Sequence, residues 1–390
     1  MGTGDKKPLL WVSMLFTFFL GFESGGFQLA LLRITREFSV AGGLEGAFVT
    51  AQFIATIIFP FALGWLSDRI GKKKVLMMFS GLVALVCVAI TALSGVYVFV
   101  AGIFLLGAGF SMCEATAGAA IADAFPGKQE KYMNYVQAFF CLGAAAGPPA
   151  ADIFFKAGYD WRVVFAVSGA AFAVVFVLFA FIRFETATAP AVGRAQRASG
   201  PRYGLLLRPA CLVLIISITV YVATETAVAF FLDYLFAGGL GAPGLSAAAI
   251  SLFWLSMMLS RLLAGAYGGG GKLTAAAFLV IAAFAFVISA TRIPAAALVC
   301  CFALGFAHGP VWPNLVGLAS REYPSETGLV TGAMSAASGV GGALSPVAMS
   351  LWADRLGIKT AFTLFAFISL AGFFSVTYYF NYKKRNEVTG

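Results

Sequence analysis

Five side chains that can carry charge lie in stretches of this 390-residue chain that are otherwise apolar: Glu23, Glu114, Glu225, Arg261 and His308. Each stretch is apolar enough to cross a bilayer, where an ionisable group costs about 2.5–3.5 kcal/mol even on the most forgiving scale. Desolvation disfavours the charged form of a carboxyl, so glutamates in such stretches suit reversible proton uptake. The competing role for all five is structural, as an ion pair or a hydrogen bond to a neighbouring helix. Glu114, shortly after Gly107 and Gly109, reads first as functional, and Glu23 is evenly placed between the two roles. Arg261 reads as a structural ion pair with Glu225, and His308 as a satisfied core residue. Asn134, Gln137 and Asn314 add amide donors and acceptors, and Tyr221, Trp254 and Trp312 add flat apolar faces. Together with Glu225 they form a set suited to a polyhydroxylated ligand, whose hydroxyls want hydrogen bonds and whose C–H side stacks on rings.

The elements that must position these groups follow from composition. With 61% hydrophobic and 11% charged residues and a mean hydropathy of +0.91, the chain matches a protein whose solvent is lipid. Spans of about 20 apolar residues are the unit of such a protein. About twelve can be counted, the first centred near Leu20 and the last near Leu370. Most of the 26 Lys and Arg fall in the connections that are cytoplasmic if both termini are inside, which sets that orientation. The +9 charge is then a topology and lipid-headgroup signal, and nucleic-acid binding is excluded. The first apolar run has no small-residue cleavage site and is long enough to span, so it is expected to remain in place. All six cysteines fall inside spans, where they pack as small apolar residues. With no C-x-x-C pair and a single histidine, no metal site is expected. Gly268 to Gly271 reads as a turn without the residues of a phosphate loop.

An internal repeat organises the spans. An offset of about 198 residues carries Gly107 onto Gly305, Phe125-Pro126 onto Tyr323-Pro324, Pro148 onto Pro346, Gly71 onto Gly269 and Lys74 onto Lys272. The expected fold is an all-α membrane protein of 12 transmembrane helices in two pseudo-symmetric six-helix bundles of parallel topology. Residues 1–185 form the first bundle and 186–208 a cytoplasmic linker; 209–390 form the second bundle with a short cytoplasmic tail.

Between the second and third spans lies Gly64-Trp65-Leu66-Ser67-Asp68-Arg69-Ile70-Gly71-Lys72-Lys73-Lys74. Its charges cannot enter hydrocarbon, so they pin two helix ends at one face. The spacing of Gly64, Asp68, Arg69 and Gly71 resembles the G-x-x-x-D-R-x-G-K-K loop of major facilitator superfamily transporters. The resemblance implies the major facilitator fold, alternating access to a site between the halves, and a breakable conformational lock at Asp68 and Arg69. In the second half these two map onto Ala266 and Tyr267, so the lock is strong on one side only.

The run Gly107-Ala108-Gly109-Phe110-Ser111-Met112-Cys113-Glu114-Ala115-Thr116-Ala117 is similar to the fourth-span motif of the fucose:proton symporter family. Asn134 to Phe139 with Gly143, Tyr221 to Glu225, Leu259 to Gly265, Trp312 to Asn314, and the Gly339 to Pro346 run point the same way. This resemblance implies proton-coupled uptake of a neutral monosaccharide or similar polyol. It places Glu114 at the carboxylate that couples proton and sugar, and Gln137 at a sugar-contacting glutamine. Fucose-type members carry an aspartate and an asparagine in the first span, where this chain has Gln28 and Gly25. Glu23 is the carboxyl available to take the aspartate's place. Besides the coupling proton no cofactor is implied. The expected partners are a small sugar and membrane lipids, and the expected setting is the inner (plasma) membrane, with the chain a monomer.

Two other transport readings stand beside this one. Gly143-Ala144-Ala145-Ala146-Gly147-Pro148 resembles part of the motif of proton antiporters that expel drugs, although Ala151-Asp152 replaces its following glycine pair. Uptake of an organic anion would use arginines within spans, of which Arg261 is the one present. An enzyme working in the membrane would show a nucleophile and base or clustered metal ligands such as H-E-x-x-H, and the sequence has none.

Overall fold

A computed structural model describes residues 6–40, 44–63, 66–125, 129–182, 203–267, 271–323 and 327–389. The described residues contain twelve principal helices. The first six are α1 (Lys6–Glu37), α2 (Ala47–Leu63), α3 (Lys72–Ala92), α4 (Val96–Ala124), α5 (Gln129–Lys156) and α6 (Arg162–Phe181). The second six are α7 (Pro209–Tyr234), α8 (Ser246–Tyr267), α9 (Gly271–Ala290), α10 in two segments (Pro294–His308 and Val311–Glu322), α11 (Thr327–Leu356) and α12 (Ile358–Thr389). Ten are long and apolar enough to cross a membrane; α2 is a shorter apolar helix, and α11 is rich in Gly, Ala and Ser. The protein is therefore the twelve-helix, all-α membrane protein that its sequence implies.

The chain divides into two compact units, Met1–Val40 with Ala51–Ser199, and Ala41–Thr50 with Gly200–Gly390. Of the expected linker, residues 186–202 lie outside the described residues, and Tyr203–Leu207 form a short 3-10 helix.

In the first unit α1 and α5 cross at the closest approach their backbones allow. A Cβ on Gly21 or Gly25 would collide with the carbonyl oxygens of Phe140 and Ala144, and one on Gly143 or Gly147 with those of Phe18 and Phe22. Lipid gives little hydrophobic drive to helix association, so close van der Waals packing through small residues holds such pairs together. That packing accounts for the Gly143 to Pro148 run without an antiporter role. Gly107 of α4 approaches the Gln52 carbonyl of α2 in the same way. The other face of α1 buries Phe16 against Phe172 and Phe179, and Phe27 against Phe99 and Phe165.

The second unit repeats these contacts. Gly305 of α10 abuts the Phe253 carbonyl of α8, and Gly341 of α11 abuts the Thr219 carbonyl of α7. Gly305 and Gly341 are the positions onto which the sequence repeat carries Gly107 and Gly143. The repeat thus preserves the contact points of the helices as well as their number.

Polar ends complete each unit. Glu37 at the end of α1 accepts from Arg162 Nη2 at 2.7 Å and from Trp161 Nε1 at 2.5 Å, joining α1 to α6. Lys73 Nζ donates to the Ala180 carbonyl in the last turn of α6 at 2.8 Å, where carbonyls have no helical partner and the dipole favours a cation. In the second unit Glu322 accepts from Lys383 at 2.6 Å and from Tyr379 at 3.0 Å, joining the end of α10 to α12.

Candidate functional site

In the first unit the structure brings together two residues that are separate in sequence. Gln137 Nε2 of α5 donates to Glu114 Oε1 of α4 across 2.8 Å, with Glu114 exposed and Gln137 half-buried. Their helices are held locally. Cys113 beside Glu114 is buried against α3, its thiol 3.8 Å from the Leu76 carbonyl, and Thr17 of α1 donates at 3.0 Å to the Val136 carbonyl next to Gln137. A carboxylate that only accepts, beside an amide that both donates and accepts, matches two neighbouring hydroxyls of a polyol. Asn134 lies in α5, and its side chain is outside the described residues.

Glu23 occupies a different environment. It is 0% exposed, and neither carboxyl oxygen has a hydrogen-bond partner. Helical spacing places it on the face of α1 that carries Phe16 and Phe27, pointing into the bundle interior, within electrostatic reach of Cys87 of α3. A charged group without a partner in such a place carries a large desolvation cost.

Of the charged tract, Gly64 lies outside the described residues, as does the side chain of Asp68; Arg69 is exposed. Gly71 precedes α3 with φ of +93° and open space around it. It is required for its backbone conformation, since an L side chain there is strained.

In the second unit a polar chain threads the contacts of α7, α8 and α10. Arg261 is 8% exposed and sits on α8. Its Nη2 donates to the Tyr221 hydroxyl at 3.3 Å, and its Nε donates to the Gly309 carbonyl at 3.3 Å. Glu225, one turn along α7, shares a hydrogen bond and charge interaction with the Tyr221 hydroxyl. The Tyr221 hydroxyl is thus shared by both members of the expected ion pair. Its ring also lies 6.4 Å from that of Trp312 and 5.9 Å from that of His308. Trp254 packs edge-on against Phe253, whose ring meets His308 at 5.5 Å. Asn314 is 8% exposed, and its Nδ2 has no partner, an unspent donor one residue beyond Pro313.

His308 is fully buried with both ring nitrogens engaged. Nδ1 lies 2.7 Å from the Leu304 carbonyl, to which it can only donate, and Nε2 lies 3.3 Å from the Thr224 hydroxyl. That agrees with a satisfied core histidine. Thr224, read only as part of the Tyr221 to Glu225 segment, and Gly309, not singled out in the sequence, both hold this cluster. For Gly309 a signal was present: a proline four residues later, at position 313, must leave its carbonyl without a helical donor.

The chain is similar to known proteins in sequence and in fold. The chain is 26% identical over 358 residues to a protein of Brucella abortus named glucose/galactose transporter, covering 84% of each chain. It is 30% identical over 142 residues to the chloramphenicol resistance protein CraA of Acinetobacter baumannii, covering 36% of this chain and 34% of that one. It spans about half or less of the length of the first two curated relatives it matches, 51% and 34%. Its fold superposes on a crystal structure of the Escherichia coli fucose:proton symporter FucP with a TM-score of 0.66, at 16% identity, covering 96% of this chain and 99% of that one. The family model described as Major Facilitator Superfamily matches residues 13–288 and 269–389. The chain belongs to the Major Facilitator Superfamily and is a multi-pass membrane protein.

Proposed function

We propose that this protein takes up a neutral monosaccharide, or a similar small polyhydroxylated solute, together with a proton by alternating access. The observation that carries the reading is the Gln137–Glu114 pair at 2.8 Å, which joins the two residues that the fucose-symporter resemblance assigns to sugar contact and proton coupling. The glucose/galactose transporter relative, matched over 84% of its length, supports the sugar class. Glu114 is the principal proton carrier in this reading and Glu23 a second. Gln137, Asn134, Tyr221, Glu225, Trp254, Trp312 and Asn314 supply hydrogen bonds and ring faces to the solute. Protonation removes the carboxylate charge that opposes passage through a dry occluded state, so the proton and solute cross together. The Asp68–Arg69 tract acts as the lock at the cytoplasmic face, with both termini on that side of an inner membrane and the protein working as a monomer.

The test is the external pH of de-energised vesicles on addition of single hexoses, deoxyhexoses and polyols, with Glu114→Gln alongside. Alkalinisation with one sugar, lost in the variant, supports symport. Silence across the panel overturns the reading. The similarity to CraA favours one second reading, proton-driven efflux of a drug or metabolite. Extrusion of a dye or of chloramphenicol under an imposed proton gradient, with no response to sugars, would establish it.

A further inference from the structure

The strongest unclaimed relationship in the molecule is between a missing backbone donor and a buried cation. Residue 313 is proline and has no N–H, so the Gly309 carbonyl, four residues earlier, loses its helical partner. Pro310 removes another donor, and α10 is interrupted between His308 and Val311, although Gly309 and Pro310 keep right-handed helical backbone angles. In hydrocarbon a backbone carbonyl cannot turn to water for a substitute. Arg261 Nε takes up the Gly309 carbonyl, and the same guanidinium holds the Tyr221 hydroxyl. α8 also comes close at Gly309: a Cβ there would meet Ser260 Oγ, one residue before the arginine. A side chain of that length and fork geometry reaches both acceptors at once.

We propose that Arg261 is a positioning residue for the second segment of α10, replacing the donor that Pro313 removes. It thereby fixes Trp312 beside the Tyr221 ring, and with it the neighbouring Asn314. This goes beyond a structural ion pair with Glu225, and rests on the reading that Trp312 and Asn314 meet the solute. A segment released by two prolines, with Arg261 on the carbonyl that precedes it and Lys383 and Tyr379 on Glu322 at its far end, keeps its helix without being rigidly continuous with the first segment.

Amide hydrogen exchange of the purified, full-length protein, read over residues 311–322 without any sugar, tests this. Arg261→Met is expected to speed exchange there by roughly ten- to hundredfold, the factor carried by one hydrogen bond to a charged group. Pro313→Ala restores an N–H facing the Gly309 carbonyl, so the Pro313→Ala/Arg261→Met double variant is expected to recover most of the protection. Arg261→Lys, which offers one ammonium to two acceptors, should fall between Met and wild type. If Arg261→Met does not fold, recovery of folded protein in the double variant supports the proposal equally. Unchanged exchange in Arg261→Met, or a double variant no better than the single one, overturns it. The readout uses no solute, so this failure is distinguishable from failure of the sugar-uptake reading, which shows as silence in the vesicle pH assay.

Discussion

Gln137 and Glu114 meet at 2.8 Å on the surface of the first unit, the glutamine donating and the carboxylate accepting. The bond depends on the state of Glu114, since a protonated carboxyl can donate in turn and the amide can reverse its role. Glu114→Gln keeps the size and removes the proton site. Accumulation against a gradient is expected to vanish while downhill exchange of the sugar continues. Loss of sugar binding itself would make Glu114 a ligand only. Gln137→Ala is expected to raise the half-saturating sugar concentration by roughly ten- to hundredfold, the worth of a hydrogen bond to a charged or well-oriented partner. An unchanged value would remove Gln137 from the solute site. Radiolabelled uptake in energised and de-energised vesicles separates these results.

The glycine crossings give a prediction about stability. Gly143 of α5 has the Phe18 carbonyl in the space that a Cβ would take, whereas Gly332 of α11 has open space. Backbone cannot retreat as a flexible side chain can, so Gly143→Ala is expected to cost about 1–3 kcal/mol or more. Gly332→Ala is expected to be neutral or slightly stabilising through helix propensity. Thermal unfolding of the two variants in detergent should differ by several degrees; equal midpoints would show that α1 and α5 separate freely.

Much of this architecture was legible because membranes simplify the reading. Hydropathy and length mark ten of the twelve helices, and the repeat that carries Gly107 onto Gly305 reappears as two glycines pressed on the carbonyls of Gln52 and Phe253. The Glu114–Gln137 pairing was not legible, since no pattern in one chain tells which faces of α4 and α5 meet; the resemblance implied only a separate role for each. Two partners of Arg261 were not legible. Its need for a partner followed from burial, and Glu225 was the obvious choice by charge. Tyr221 and the Gly309 carbonyl emerged as partners only once three helices were placed together. Glu23 was legible as a buried carboxyl, but its direction along the Phe16 and Phe27 face was not read from the sequence.

The Glu37–Arg162 contact predicts a salt-sensitive clamp between α1 and α6. Glu37 accepts two Arg162 bonds, at 2.7 and 3.2 Å, and the Trp161 indole donates to it as well. With the Glu37 side chain 39% exposed, screening discounts the pair. Glu37→Gln is therefore expected to cost only about 0.5–1 kcal/mol. Glu37→Ala also strips the indole of its acceptor and is expected to cost more, about 1–2 kcal/mol. Unfolding midpoints measured at low and high salt check this. A wild-type advantage over Glu37→Gln that does not shrink with salt would show that charge is not what joins these helix ends.

Glu23 offers a test of whether the proton route passes through the interior of the first unit. Neither oxygen has a hydrogen-bond partner, so Glu23→Gln loses no bond present in the fold and is expected to unfold close to the wild-type midpoint. Glu23→Leu replaces an unpaired buried polar group with an apolar one of similar reach, and is expected to be at least as stable. Both variants are nonetheless expected to accumulate less sugar under a proton gradient and to show a flatter pH dependence of uptake, while downhill entry persists. Stable variants make the comparison clean, because a fall in accumulation cannot then be blamed on lost protein. If both match wild type in accumulation ratio and pH profile, Glu23 lies off the route. Coupling then falls to Glu114 alone, and the buried carboxyl of α1 has no part in transport.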